Sequence, residues 1–292
     1  IVFFITLLSL IVQGMTIAKV ARLLHLDLPL QQGQAPRVQV ELQTEQAQLY
    51  LAQADLQFSE ITGRFDYDTA LGMRSTGLSA RTLGHVLNLQ AFAEGRQGRA
   101  RTRLEVQGRA PVAALLKWQG LPASTPLRGQ LPYRLRVLLA DEDSLLRVLS
   151  DLRGLHIDLP EPFGKPAEQR RDMAWRMTLS GAERRYWLDM DGLLSLAAAA
   201  APQRWRDGRG EVRLGGAAAR LPVQPGWSLR GALQQLDLQE WQRWHQQHQA
   251  QQPTDLRWLS LVDLDIAQIR VGELTIDQAA VQLQPQAEAW RL

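Results

Sequence analysis

The stretch Gly129-Gln-Leu-Pro-Tyr-Arg-Leu-Arg-Val-Leu-Leu-Ala140 decides the fold class. Leu131, Tyr133, Leu135, Val137 and Leu139 fall on every second residue, with Arg134 and Arg136 between them. Successive side chains of a strand point to opposite faces, so this spacing builds one dry face and one wet face. The same period runs outward in both directions. Upstream, Val38, Val40 and Leu42 alternate with polar residues. Leu49 and Leu51, then Ala54, Leu56 and Phe58, alternate with a phase slip that reads as a bulge near Ala52-Gln53. Ile61, Gly63, Phe65 and Tyr67 resume after a break at Ser59-Glu60. Leu87, Leu89, Ala91 and Ala100, Thr102, Leu104, Val106 read as a hairpin about Glu94-Gly-Arg-Gln-Gly98. Downstream come Met173, Trp175, Met177, Leu179 and Tyr186, Leu188, Met190. The pattern continues through Val212 and Leu214, Trp227 and Leu229, Leu264 and Ile266, Ile269 and Val271, Leu274 and Ile276, and Val281 and Leu283. One-sided strands with Gly-rich turns predict a mainly β fold, an antiparallel meander.

Two short helices interrupt it. Pro111-Val-Ala-Ala-Leu-Leu-Lys-Trp118 opens on a proline suited to a first turn and ends near Gly120. Residues 238–250 follow Asp237, an N-cap, and carry Trp241 and Trp244 on one face. Residues 197–201 read either as a strand end or as a loop before Pro202.

At 292 residues the chain has ample length for a sizeable core. It has no cysteine, which excludes disulfides, thiolate metal sites and Cys nucleophiles. The net charge of +3 rests on arginine, since Lys19, Lys117 and Lys165 are the only lysines. These arginines are spread along strand positions, as on a solvated sheet face, and form no nucleic-acid patch.

A second tract, Ser150-Asp-Leu-Arg-Gly-Leu-His-Ile-Asp-Leu-Pro-Glu-Pro-Phe-Gly-Lys-Pro166, joins a short alternating strand to a proline-rich exit. Leu155, Ile157 and Leu159 share one side, His156 and Asp158 the other. Pro160, Pro162 and Pro166 lack a ladder donor and end the strand. This tract resembles a signature of the YhdP family, the AsmA-like and TamB-like proteins of Gram-negative envelopes. So do Leu56-Gln-Phe-Ser-Glu-Ile-Thr-Gly-Arg-Phe-Asp-Tyr-Asp68 with Gly72 and Leu78-Ser-Ala-Arg81, then Arg103-Leu-Glu-Val-Gln-Gly-Arg109 and Leu236-Asp-Leu-Gln-Glu-Trp241. The ordered series covers roughly residues 38–292 and looks like an internal piece of a longer family protein.

Residues 1–12 are apolar, and the charge-free run extends through Gln13 and Gly14 to Ala18, about the length of a short membrane helix. Basic residues Lys19 and Arg22 follow the apolar run, which argues against a signal peptide. Ser9, Gln13, Gly14, Thr16, Ile17 and Ala21 resemble the last membrane helix of monovalent cation/proton antiporters. The intramembrane carboxylates that such exchange needs are missing from this stretch. The expected organisation is therefore a membrane helix over 1–28, a linker over 29–37 and a β region over 38–292, with a sub-boundary near 160–172. The start at Ile1 reads as a fragment or a missing true start. Lys19 and Arg22 favour a cytoplasmic end for the helix, whereas the family resemblance requires a periplasmic one. A fusion joined near residues 29–36 is one way to reconcile them.

The search for chemistry is empty. His245 and His248 share a helix face without a third ligand nearby in sequence. Asp141-Glu-Asp143 reads as a capped turn, and Asp189 and Asp191 as a same-side strand pair. Asp207-Gly-Arg-Gly210 reads as a hairpin turn, and Ser180 and Ser195 lack a nucleophile elbow. Trp175 and Trp227 sit in apolar register, while Trp187, Trp205 and Trp258 break or flank it, as interface residues do. No catalytic residue, metal or cofactor is expected, and no enzyme activity.

A meander with so much apolar face and two short helices must cover that face some other way. Curling into an elongated groove, with acyl chains completing the dry side, is one solution. The YhdP resemblance implies this use: an inner-membrane anchor with a periplasmic body that carries phospholipid toward the outer membrane. The groove candidates are Leu131, Tyr133, Leu135, Val137, Leu139, Trp175, Met177 and Leu179. Expected partners are membrane phospholipids, the inner membrane and other envelope proteins, and no nucleic acid. The alternatives are the antiporter-helix fusion without transport activity of its own, an outer-membrane-type β protein, and an envelope enzyme or sugar-binding β domain.

Overall fold

The computed structural model describes residues 37–51, 55–96, 99–140, 144–201, 204–248, 259–286 and 289–291. The membrane-helix reading of 1–28, nearly all of the linker, Asp141-Glu-Asp143 and Trp258 lie outside the described residues. Among the described residues no helix is long and apolar enough to cross a membrane. The chain divides into two compact units. One takes in the chain up to Ala110 together with Arg134–Leu146; the other takes in Pro111–Tyr133 and the chain from Arg147 onward.

The first unit is built on an antiparallel meander. β1 (Gln39–Leu51), β2 (Leu56–Asp68), β3 (Gly72–Thr82), β4 (His85–Ala93) and β5 (Thr102–Pro111) each pair with the next. The bulge read near Ala52-Gln53 lies outside the described residues; on either side of it Leu51 pairs with Leu56. The bulges fall earlier in β1, at the steps from Thr44 to Ala47 and from Ala47 to Leu49. Gln46 and, in β2, Glu60 absorb the irregularity with φ of 56° and 52°. The expected break at Ser59-Glu60 is thus a kink inside one strand. Phe65, Met73 and Ala91 form the core, with Leu42, Tyr67, Leu78, Leu89 and Leu104 around them. At one end Asp68 accepts from Arg37 Nε (2.9 Å) and Nη2 (2.6 Å), Gln39 Nε2 (2.9 Å) and the Ala70 amide (2.8 Å). The Arg37 hydrogen bond, above all, holds this carboxyl well below the usual carboxylate range.

The second unit departs from a simple meander. α1 (Val112–Trp118) follows Pro111, which occupies its N-cap. β6 (Leu127–Leu139) starts in this unit, and β7 (Leu145–Ser150) ends in it. β8 (Leu155–Ile157) pairs antiparallel with the first residues of β6. β9 (Met173–Thr178), β10 (Arg184–Met190), β11 (Leu194–Ala200) and β12 (Arg209–Leu214) pair antiparallel in sequence order. Of residues 197–201, those up to Ala200 are therefore strand and Ala201 lies beyond it.

After β12 the pairing becomes parallel. β13 (Gly226–Leu233) runs parallel to β12, and both β13 and β14 (Leu236–Asp237) run parallel to β15 (Leu259–Val271). The expectation of an all-antiparallel meander is corrected here. Parallel neighbours require a crossover, and the chain supplies two. Residues 215–225 make the first. α2 (Leu238–Gln247) lies on the second, with Asp237 capping it through the Glu240 amide (2.9 Å). β16 (Leu274–Gln286) then returns antiparallel to β15, and β17 (Ala289–Arg291) pairs with its end.

Candidate functional site

Cross-strand register arranges one face of the second unit's sheet into rows. The middle row reads Trp175, Leu188, Leu196, Val212, Leu229, Val262 and Leu283, one residue from each neighbouring strand. The row on one side reads Met177, Tyr186, Ala198, Gly210, Trp227 and Leu259. The row on the other side reads Met173, Met190, Leu194, Leu214, Gly231, Leu264 and Val281. Every member is apolar or glycine except the Tyr186 hydroxyl. The opposite face carries Arg176, Trp187, Asp189, Glu211, Arg213, Arg230 and Asp263. There Arg176 lies 4.2 Å from the Trp187 ring centre.

The three rows pack against different neighbours. Met173 and Met190 pack under Val112, Leu116, Leu152, Leu155 and Ile157. Leu194, Leu264 and Val281 join a cluster of Leu214, Leu233, Ile266 and Ile269 that Phe163 and Leu236 also touch. In the middle row Trp175, Leu188, Leu196, Val212 and Leu229 are half-buried, as Met173, Met190, Leu194, Leu264 and Val281 are, and Leu196 and Leu229 pack against buried Ala198, Trp227, Leu259 and Val262. The face is thus half-buried throughout β9 and β10 and holds its buried members, Ala198, Gly210, Leu214, Trp227, Leu259 and Val262, on β11 to β15.

The groove candidates fall as follows. Trp175 and Met177 lie on this face, and Leu179 follows β9, half-buried. Leu131 packs against the Leu152 and Leu155 cluster. Tyr133 is half-buried, and burial pushes its phenol up to about 12. Leu135, Val137 and Leu139 belong to the first unit and are half-buried, with Arg134 and Arg136 exposed between. The amphipathic register of β6 is as expected. A phenol raised in the folded state favours folding in its protonated form. That contribution is complete below the ordinary tyrosine value near about 10 and is lost as pH rises toward 12. Alkaline difference titration between the wild type and Tyr133→Phe should place this phenol near 12; a phenol ionising in the ordinary range would show that the dry environment is absent.

The tract 150–166 is a locked loop. Ser150 Oγ donates to the Pro132 carbonyl (2.6 Å) and accepts from the Leu152 amide (3.0 Å). Lys165 is 2% exposed, and its Nζ donates to the carbonyls of Leu155 (2.8 Å), Pro166 (2.8 Å) and Gln169 (2.7 Å). Burial, and then the nearby Arg171, lower its pKa. Arg171 is also buried and donates to the carbonyls of Phe163 (2.9 Å), Pro162 (3.3 Å) and Gly164 (2.9 Å). An aromatic series ties the loop to α2: Phe163 meets Trp241 edge-on at 6.0 Å, Trp241 meets Trp244 at 5.9 Å, and Trp244 stacks on His248 at 4.7 Å. Trp244 Nε1 donates to the Asp158 carbonyl (2.5 Å).

Among the described residues no group of His, Cys, Asp or Glu is placed to hold a metal ion. His248 is engaged with Trp244 and, at 3.5 Å, with Asp158. Asp191 has left the strand: with φ of 50° it forms the turn with Gly192 (φ 66°) that joins β10 to β11. Its pairing with Asp189 on one strand side is therefore corrected. Ser195 Oγ donates to the Ala217 carbonyl (3.1 Å) and accepts from the Ala219 amide (2.9 Å), pinning the 215–225 crossover.

A family model described as YhdP protein matches residues 9–292. The chain belongs to the YhdP family. The match takes in both units, the locked loop and the whole apolar face. It also spans residues 9–28, and says nothing of the antiporter-like pattern there. No match was found among curated proteins or among solved structures. Within this YhdP-family chain, sequence reasoning missed Lys165 and Arg171 as carbonyl-bound cations and Phe163 as a link to α2. A lone lysine between glycine and proline, following an apolar strand, was the available signal.

Proposed function

We propose that this chain is a segment of an inner-membrane-anchored, periplasmic bridge that moves phospholipid toward the outer membrane. Acyl chains lie along the apolar sheet face, and the chain itself performs no covalent chemistry. The observation that carries the reading is the apolar face along β9 and β10, where Met173, Trp175, Met177, Tyr186, Leu188 and Met190 are all only half-buried. Family membership supports it. Half-buried Leu135, Val137 and Leu139 on β6 offer the same kind of surface in the first unit.

Photo-crosslinking in cells from Leu135 and Leu188 tests the reading. Phospholipid adducts are expected at both positions. Leu188→Asp places an unpaired carboxylate on the second unit's apolar face, a desolvation cost of about 2–4 kcal/mol, and should suppress lipid adducts on that face. Crosslinks to protein alone would identify the face as a sandwich core and overturn the conduit.

A further inference from the structure

We infer that Arg184 is a headgroup anchor that holds the phosphodiester of a phospholipid at the rim of the apolar face; this rests on the lipid reading above. Arg184 is the first residue of β10 and pairs with Ala200. Alternation puts it on the same face as Tyr186 and Leu188, one row beyond Tyr186 and Ala198. The face therefore ends at a guanidinium. Arg184 is half-buried, and its Nε is buried without a hydrogen-bond partner. Among the described residues its side chain forms no hydrogen bond or ion pair.

Its neighbours at this end are engaged differently. Arg209 pairs with Glu183 (2.8 Å), and Arg204 pairs with Asp207 (2.8 Å). Arg185 is exposed and alternates to the opposite face. Arg184, Arg185, Arg204, Arg206 and Arg209 stand here against the two carboxylates Glu183 and Asp207. The local charge is positive, and Arg184 is the arginine that strand alternation places on the apolar face. A planar guanidinium offers paired donors to a phosphate, and does so best where water is partly excluded. The matching ligand is amphipathic: a monoanionic phosphate joined to acyl chains long enough to follow Tyr186, Leu188 and Leu196. A phospholipid has that build, and a diacylglycerol lacks only the anion.

The test compares two photoactivatable probes with the same diazirine-bearing acyl chains, phosphatidylglycerol and diacylglycerol, on the full chain, with adducts mapped by mass spectrometry. The wild type should capture phosphatidylglycerol on β10 and β11 roughly tenfold better than diacylglycerol, the scale of one charge-assisted hydrogen bond. Arg184→Gln should bring the two probes level, Arg184→Lys should keep most of the preference, and Arg185→Ala should keep all of it. Circular dichroism confirms that each variant is folded. A wild type without preference, or an Arg184→Gln chain with the full preference, overturns the anchor while leaving the lipid face standing. Capture of neither probe by the wild type overturns both.

Discussion

Lys165→Met is expected to lose about 1–3 kcal/mol of stability, measured by urea denaturation against the wild type. The substitution keeps the apolar stem and removes the three donors that serve the carbonyls of Leu155, Pro166 and Gln169. Of these acceptors the Leu155 carbonyl lies in a buried bond, and an unmet buried acceptor costs about 1–3 kcal/mol. The loss should appear as a lowered midpoint with an unchanged denaturant slope. A loss below about 1 kcal/mol would mean that water reaches these carbonyls and that the loop is not locked as described.

Gly129→Ala is expected to cost about 3 kcal/mol, measured in the same way. Gly129 has φ of 100°, and a Cβ added there would lie 2.1 Å from the Gly154 carbonyl oxygen. That oxygen accepts from the Gln130 amide (3.0 Å). The new methyl group must push apart the β6–β8 pair in which Gly129 faces Leu155. Leu155 lies in the cluster that covers Met173 and Met190. A neutral outcome would show that β8 can shift without disturbing the sheet.

These two positions also mark what could be read in advance. Period-two spacing fixed the amphipathic character of β6, since Leu131 to Leu139 and the arginines between them had one consistent solution. The antiparallel pairing of β4 with β5 was legible from the glycine and polar residues between them. Strand direction after β12 was not legible. β12 and β13 alternate as antiparallel strands do, and their parallel pairing depends on where the 215–225 segment leads. Alternation carries no record of the route taken between strands. Of the candidate site, Trp175 and Met177 were legible because they sit in register. The row structure was not, because it requires the partners of each strand. The 150–166 pattern is legible in sequence, but the carbonyl binding of Lys165 and Arg171 depends on how the chain folds back over residues 155–169, which spacing does not encode.

That choice of ligand for Lys165 and Arg171 has a bearing on ionic strength. Surface ion pairs weaken as salt rises, because mobile ions crowd around each exposed charge within a Debye length of about 10 Å at 0.1 M. Carbonyl dipoles enclosed with a cation are out of reach of those ions, and among the described residues neither side chain forms an ion pair. The Arg37–Asp68 and Arg204–Asp207 pairs, with exposed guanidinium groups, should loosen in brine. The loop that covers one side of the apolar face should keep its shape in dilute and concentrated solutions alike.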